Sequence, residues 1–555
     1  MITVAPYEPT VRPARPPGLG SLVLAEWTKL RTVRGWVAGL LLAVLLPVGI
    51  TLLQHGSCGY IWPGGSSIGC AGNPTGPDGG AVVDNFYFVH QALPADGSIT
   101  ARVTSLTGVY SPTGGYRVSA SGALSGLTSG VQPWSKAGIM IKASTTRGSA
   151  YVAMLVTGTN GVRMQWNYTG DTAGLPGAVS ASAPRWLRLT RAGSVVTGYD
   201  SVDGSTWTQV GSISVRGLPA SGTVQVGLFA TSPSYEVISQ SLGSSSGGGG
   251  PTLATGAFDN VAVSGSSGAG SGSGGTAGSW TGTSLQPPPL PGPPVKAAVD
   301  QAFNKFFAGK YTQAGASSFT VSGSGDIAPD VLDAPDGNGV SPQSALTGMF
   351  AALLVVIIVA ALFIAAEYRK GMIRVTFTAS PARWKVLAAK SVVIGLVTFA
   401  VSLIAVGITM PLGLHNSRSD GYWIPPIATL TEVRMIVGTA LLLALAAVLA
   451  LAIGTMLRRS VLAIAGVIVV IFIPYMLAHV TGILPTGPED WLLRLTPTAA
   501  FSIQQAYPAY HQVLAPYWPA DGFYPLSPWA GMGVLAAWTL VALVAAGWLL
   551  RRRDV

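Results

Sequence analysis

Six stretches of this chain are each long and apolar enough to cross a hydrocarbon layer of about 30 Å, which takes about 20 helical residues. They run over 35–53, 345–366, 391–410, 435–457, 461–481 and 529–550. Backbone polar groups find no partner in lipid, so each run must fold as a helix that satisfies its own. The composition agrees, with 49% hydrophobic residues and only 10% charged. The 71 glycines and 39 prolines do not belong to such helices. They concentrate between the first two runs and mark a second, turn-rich body there.

Cationic side chains gather beside alternate ends of the runs, the pattern of the positive-inside rule. One set comprises Arg12, Arg15, Lys29, Arg31 and Arg34, then Arg369, Lys370, Arg374, Arg383, Lys385 and Lys390, then Arg458, Arg459, Arg551, Arg552 and Arg553. These 16 cations face only Glu8, Glu26, Glu367 and Asp554, whereas the remaining 16 meet 18 acids. The sequence therefore predicts a multi-pass plasma-membrane protein with both termini cytoplasmic and the long insertion after the first run outside. The net charge of +10 is topological. It suits anionic lipid headgroups in the bilayer and leaves no surface for nucleic acid.

The first run reads as a retained span, because its 34-residue leader is long for an export signal and His55, Gly56 and Ser57 before Cys58 do not suit lipoprotein processing. In the cytoplasmic segment 1–34, Val23, Trp27 and Leu30 recur at i, i+4 and i+7 with Glu26 and Lys29 opposite. This predicts an interfacial amphipathic helix over 21–34. Cys58 and Cys70, the only cysteines, lie in the external loop 54–83. With no histidine near except His55 they make a poor zinc site, and an oxidising exterior favours a disulfide between them.

Residues 84–263 read as about ten short alternating strands separated by Gly, Ser, Pro and Asp clusters, an antiparallel sandwich. The blocks WSKAGIMIKAS (134–144), YVAMLVTGTNGVRMQW (151–166), WLRLTRAGSVVTGYDSVDGSTWTQVG (186–211), VQVGLFATS (224–232) and FDNVAV (258–263) resemble the concanavalin A-like, laminin-G-like jelly-roll superfamily. That resemblance implies a jelly roll whose relatives bind or cut glycans, although function resides in the site and not in the fold. Glycosidases need two carboxylates about 5 to 10 Å apart. Glu236 is the only glutamate in the sandwich, and Asp200 and Asp203 read as hairpin residues, so no catalytic residue is assigned. Trp134, Trp166 and Trp207 are the candidates for stacking on a sugar ring, with core packing the competing reading for each. Residues 264–344, rich in Gly and Ser and then Pro, read as a linker and juxtamembrane segment that tethers the sandwich without clamping it.

Apart from His479 near one end, the six runs hold no charged residue or histidine in their interiors, which disfavours an ion-coupled carrier. No HExxH, no GxSxG in a strand-to-helix setting and no P-loop pattern supplies hydrolysis or a nucleotide site, so energy must come from another subunit. The loop 367–390, EYRKGMIRVTFTASPARWKVLAAK, resembles the coupling segment of type-2 ABC-transporter permeases at Glu367, Tyr368, Arg369, Gly371, Ile373, Arg374, Pro381, Arg383, Leu387 and Lys390. EWTKLRTVRGW (26–36), the Arg458-Arg459 turn, LTPTAAFSIQQ (495–505) and the terminal RRRDV are similar to that family as well. The resemblance implies a six-helix permease with an inserted all-β sandwich, no cofactor or metal of its own, and no catalysis alone. It also implies a cytoplasmic ABC ATPase dimer that holds ATP and Mg, and a second permease copy or sister permease. Its departure from that family is the size of the insertion. The alternative is a membrane-anchored external glycan-binding or surface-sensing protein, in which the sandwich, binding an external glycan or protein, is the working part.

Overall fold

The computed structural model describes residues 18–54, 56, 60–61, 67–68, 73–94, 96–112, 117–118, 124–241, 244–265, 280–286, 305–331, 340–369, 382–479, 488–514, 517–519 and 522–552. Cys58, Cys70, Gly371, Ile373, Arg374 and Pro381 lie outside them, as does most of the Gly/Ser- and Pro-rich stretch. The expected disulfide therefore gains no support from the structure.

Among the described residues, six helices are long and apolar enough to cross a membrane. A short helix α1 (Leu19–Thr32) precedes α2 (Arg34–Leu53), the two separated by the extended backbone of Val33. After the β-rich insertion come α3 (Met349–Arg369), α4 (Arg383–Ser419), α5 (Thr429–Leu457) and α6 (Ser460–His479). A short helix α7 (Pro488–Leu495) and a 3₁₀ segment (Pro497–Gln504) then lead to α8 (Pro528–Arg552). The six apolar runs of the sequence thus become α2, α3, α4, α5, α6 and α8. Helix α5 sits centrally and buries Met435, Leu442, Ala446, Ala450 and Leu451. It ends where Arg458 turns left-handed at φ +56° and its N–H caps the Gly454 carbonyl.

Helix α4 has 37 residues, about 55 Å at 1.5 Å per residue, so it overruns a hydrocarbon core of about 30 Å. Its far end meets the end of α2, where Asn416 Nδ2 donates to the Thr51 carbonyl at 2.9 Å and Asp420 Oδ2 accepts from Gly56 N at 2.9 Å. The 3₁₀ segment inserts among the spans. Phe501 stacks on Phe350 at 5.0 Å and packs against Tyr475 at 4.8 Å. Glycine permits this approach, for a Cβ on Gly531 would lie 2.1 Å from the Ala499 carbonyl oxygen.

The insertion folds as two antiparallel sheets. One has the strand order β6-β5-β4-β3-β10-β1-β12, with β1 Tyr87–Leu93, β3 Lys136–Lys142, β4 Tyr151–Thr157, β5 Val162–Trp166, β6 Gly170–Ala173, β10 Val224–Thr231 and β12 Thr281–Ser284. The other runs β9-β8-β7-β2-β11-β14-β13, with β2 Gly97–Tyr110, β7 Arg185–Ala192, β8 Val195–Ser201, β9 Thr208–Ser214, β11 Thr252–Gly265, β13 Lys310–Gln313 and β14 Phe319–Gly323. Alternate residues from the two sheets, including Val89, Ile99, Val103, Ile139, Val152, Leu187, Leu228 and Phe258, form one core. The opposite face of the first sheet carries a smaller cluster of Phe86, Phe88, Met140, Tyr151, Tyr168, Phe229 and Ile327.

This arrangement corrects the expected boundary at residue 263. Strands β12, β13 and β14 belong to the sandwich, and Val82–Asp84 pairs with Ile327–Pro329, so the chain enters and leaves the domain side by side. The sequence FTVSG of β14 has strand character, but strand alternation needs more residues to show than the TGTS of β12 or the KYTQ of β13 supply.

Candidate functional site

At the end of the helical body that carries α1, four charged side chains from three helices meet. Lys390 Nζ on α4 donates to Glu26 Oε2 on α1 at 2.6 Å and to Glu367 Oε1 on α3 at 2.7 Å. Lys29 Nζ on α1 donates to Glu26 Oε1 at 2.8 Å and to Glu367 Oε1 at 3.1 Å. Side-chain exposure is 1% for Lys390, 4% for Glu26 and 3% for Glu367, against 40% for Lys29. Charges this deep are tolerated only when paired and multiply hydrogen-bonded. Here two carboxylates and two ammoniums cancel, and each ammonium bridges both acids. Burial opposes the Lys29 ammonium, yet Glu26 and Glu367 outweigh it and hold its pKa above the ordinary value. Glu367 Oε2 is buried without a hydrogen-bond partner.

The quartet shifts the buried face of α1. Val23 and Leu30 do pack inward, but Trp27 is exposed and Glu26, expected on the outer face, is buried. The reason is a partner 364 residues away, Lys390, which helical periodicity within α1 cannot report. A signal was available nevertheless. Only four acids stand among the 16 cations on that side, and Glu367 directly abuts an apolar run.

Of the residues assigned to the coupling segment, Glu367 and Lys390 are thus buried and joined to α1. Their Lys390 ammonium also lies 4.9 Å over the Phe363 ring, which packs edge-on against Trp36 at 5.0 Å. Arg383 Nη1 donates to the Leu550 carbonyl near the end of α8 at 2.6 Å. The Tyr368 ring faces the Arg458 guanidinium at 5.6 Å. Leu387 is buried, and Arg369 is the last residue of α3. The described residues on either side of 370–381 are therefore tied to α1, to α8 and to the α5–α6 turn.

The sandwich offers less. Trp134 is buried, which removes it as a sugar platform. Trp166 is half-buried against the core, and the half-buried Trp207 ring has the Arg188 guanidinium 3.8 Å from its centroid. Asp203 Oδ1 accepts from Ser205 N and Thr206 N, both at 2.8 Å, hydrogen bonds that hold its pKa below the usual carboxylate range. Asp200 is buried and accepts from Leu175 N at 2.7 Å. Both carboxylates organise turns.

The sandwich also touches the helical body, which corrects the expectation of a tether alone. Gln512 Nε2, in the stretch before α8, donates to the Tyr168 carbonyl at 3.2 Å, and His511 Nε2 lies 2.9 Å from Asp171 Oδ2. Asp171 also binds Arg163, whose guanidinium lies 5.8 Å over Trp134, and the His511 ring meets Trp134 edge-on at 5.6 Å. Burial works against the Asp171 carboxylate, but Arg163, Gln165 and His511 hold its pKa below the ordinary value.

In comparison with known proteins, the model of the ABC-2 family transporter proteins matches residues 193–555, well over half of the chain. The chain belongs to that family. ABC-2 permeases are the membrane-spanning subunits of ABC transporters, so this is a multi-pass membrane permease subunit that works with a separate ATPase subunit. The match covers α3 to α8 and begins inside the sandwich, just before β8. No curated protein matches the sequence. Among solved structures, similarity extends to a functionally unknown protein from Saccharomyces cerevisiae, at 17% identity over 33% of this chain and 76% of that one, with a TM-score of 0.18. A xylan beta-1,4-xylosidase from Bacillus halodurans C-125 shows 15% identity over 24% of each chain at 0.17. Scytalido-glutamic peptidase shows 10% identity over 44% of this chain and all of that one at 0.22. These scores are too low for a shared fold to follow.

Proposed function

We propose that this chain is the transmembrane half of an ABC exporter, moving its substrate outward with ATP that a cytoplasmic ATPase dimer holds together with Mg. The permease acts as a dimer with itself or with a sister chain. In this reading α1 and the charge quartet face the cytoplasm and the sandwich, a jelly roll of the concanavalin A-like kind, lies outside. The positive-inside count supports the orientation, and the junction at His511 and Gln512 supports a sandwich held over the spans.

One observation carries the coupling role: Glu367 and Lys390, which flank the segment 370–381, share a buried ionic cluster with α1. An ATPase that closes on ATP moves the spans only through a cytoplasmic element joined rigidly to them. The quartet supplies that rigidity, and the residues between its members supply the contact. Glu367 and Lys390 therefore act as positioning residues, and Gly371, Ile373 and Arg374 as the docking surface. The rival reading, a membrane-anchored glycan binder, is weakened by the loss of Trp134 and by the number of spans.

The test is reconstitution in liposomes of the chain with the ATPase that co-purifies with it. Arg374→Glu and Gly371→Pro abolish ATPase association while membrane insertion persists. Variants that retain the ATPase at wild-type levels refute the assignment. Reduced and non-reduced peptide maps separately decide the Cys58–Cys70 link, which two freely alkylated thiols in the native protein would exclude.

A further inference from the structure

Among the described residues, the most sheltered ion pair of the sandwich lies beneath the Tyr168 ring. Lys142, the last residue of β3, places Nζ 2.8 Å from Oδ2 of Asp84, the last residue of the strand on which the chain enters the domain, and both side chains are 0% exposed. The rings of Phe86, Tyr151 and Tyr168 surround the ammonium at 5.7 to 5.8 Å. Nζ also contacts the Ser149 carbonyl at 3.1 Å and the Tyr168 hydroxyl at 3.2 Å, and that hydroxyl donates to the same carbonyl at 3.0 Å. Asp84 Oδ2 accepts a further hydrogen bond from Gly148 N at 2.7 Å. The other carboxylate oxygen, Oδ1, is buried with no hydrogen-bond partner, as is the Tyr151 hydroxyl.

An ionised carboxylate with an orphan oxygen in a dry aromatic cage is a costly arrangement. We infer that Lys142 and Asp84 condense to an intramolecular amide that ties the entering strand to the middle of the first sheet. Burial pushes the Lys142 ammonium toward its neutral form, with Asp84 opposing, which favours proton transfer within the pair. Nζ then attacks Cγ, so that a C–N bond forms. Oδ1 leaves as water, taking two of the three ammonium protons, and one C–O bond breaks. Oδ2 stays as the amide oxygen and keeps the Gly148 N–H. The Tyr168 hydroxyl, whose pKa burial raises first and Asp84 second, remains protonated and is the nearest proton relay. The reaction needs no oxidant, metal or nucleotide. Fixed geometry supplies the effective concentration, which reaches about 10⁵ M or more for well-oriented intramolecular reactions.

Lys136 and Asp326 provide an internal contrast. Their Nζ to Oδ1 distance is 2.6 Å, but the Asp326 side chain is 12% exposed and its Oδ1 also accepts from Ile327 N at 2.7 Å. Water reaches that carboxylate and stabilises its charged form, so the second pair remains ionic.

The test is intact-mass spectrometry of the purified, reduced full chain, followed by peptide mapping. The inference expects a mass one water below that of the sequence, a single branched peptide joining the segments around residues 84 and 142, and the full mass for Lys142→Arg. Full mass in the wild type with ordinary cleavage after Lys142 overturns it, as does water loss that persists in Lys142→Arg. Should the variant fail to fold, the wild-type mass and map decide alone.

Discussion

The membrane half and the sandwich each bury lysine–carboxylate contacts, and they do so in different ways. In the sandwich each of the two buried lysines has one acid from a neighbouring segment of the same domain, Lys142 with Asp84 and Lys136 with Asp326. In the helical body Lys29 and Lys390 each bridge two acids, and the four partners come from α1, α3 and α4. A one-to-one pair fixes one local geometry. A shared network makes three helices interdependent, because moving any one of them strands a charge on the other two. Such a network suits the part of a transporter that passes on motion, whereas isolated pairs suit a scaffold.

The largest effect is expected from Lys390→Met, which leaves Glu26 and Glu367 buried with only the more exposed Lys29 between them. Its cost is about 3–5 kcal/mol, read as a lowered unfolding midpoint in detergent. Lys136→Met should cost less, since Asp326 is partly open to water. Equal losses would erase the distinction between network and pair. Gly531→Val should follow at about 1–3 kcal/mol, because its side chain would drive α8 off the 3₁₀ segment. A neutral outcome would show that the segment yields.

Gln512→Ala should weaken the junction with the sandwich by about 1 kcal/mol, seen as faster proteolysis between the two bodies. Acid should do the same. Asp171 has a folded-state pKa below its unfolded value of about 3.9, so its contribution is present above that value and is lost as pH falls through the lower folded one. A junction equally protected at pH 7 and below pH 3 would deny Asp171 that part. Smallest of all, Arg102→Ala at the partly exposed Asp259 contact should change stability by about 0–1 kcal/mol, measured in the same melts. A larger loss would mean that this surface pair behaves as a buried one.

The two regions also differ in how much of them was legible in the sequence. Helical spans announce themselves through length and hydropathy, and the cations at 458–459 and 551–553 marked their ends. The middle strands from Lys136 to Thr231 were nearly as plain, because they are apolar runs of up to eight residues bounded by turn-forming residues. Strands β12 and β13, four residues each, carried too little pattern. The quartet escaped for another reason. Its members are 23 and 364 residues apart in sequence, and Glu26 alone on an amphipathic helix reads as solvated. The jelly-roll blocks likewise pointed to Trp134 as a platform, but a residue type cannot reveal that His511, far along the chain, packs against its ring.

The role proposed for the quartet is to hold the segment 370–381 in place for the ATPase. Co-purification of that ATPase with Glu26→Lys, Lys390→Glu and the double exchange, each checked for an intact size-exclusion profile, tests this directly. The single variants should lose the bound ATPase while remaining inserted, and the exchange, which restores opposite charges, should regain most of it. Wild-type ATPase recovery with both single variants would contradict the claim.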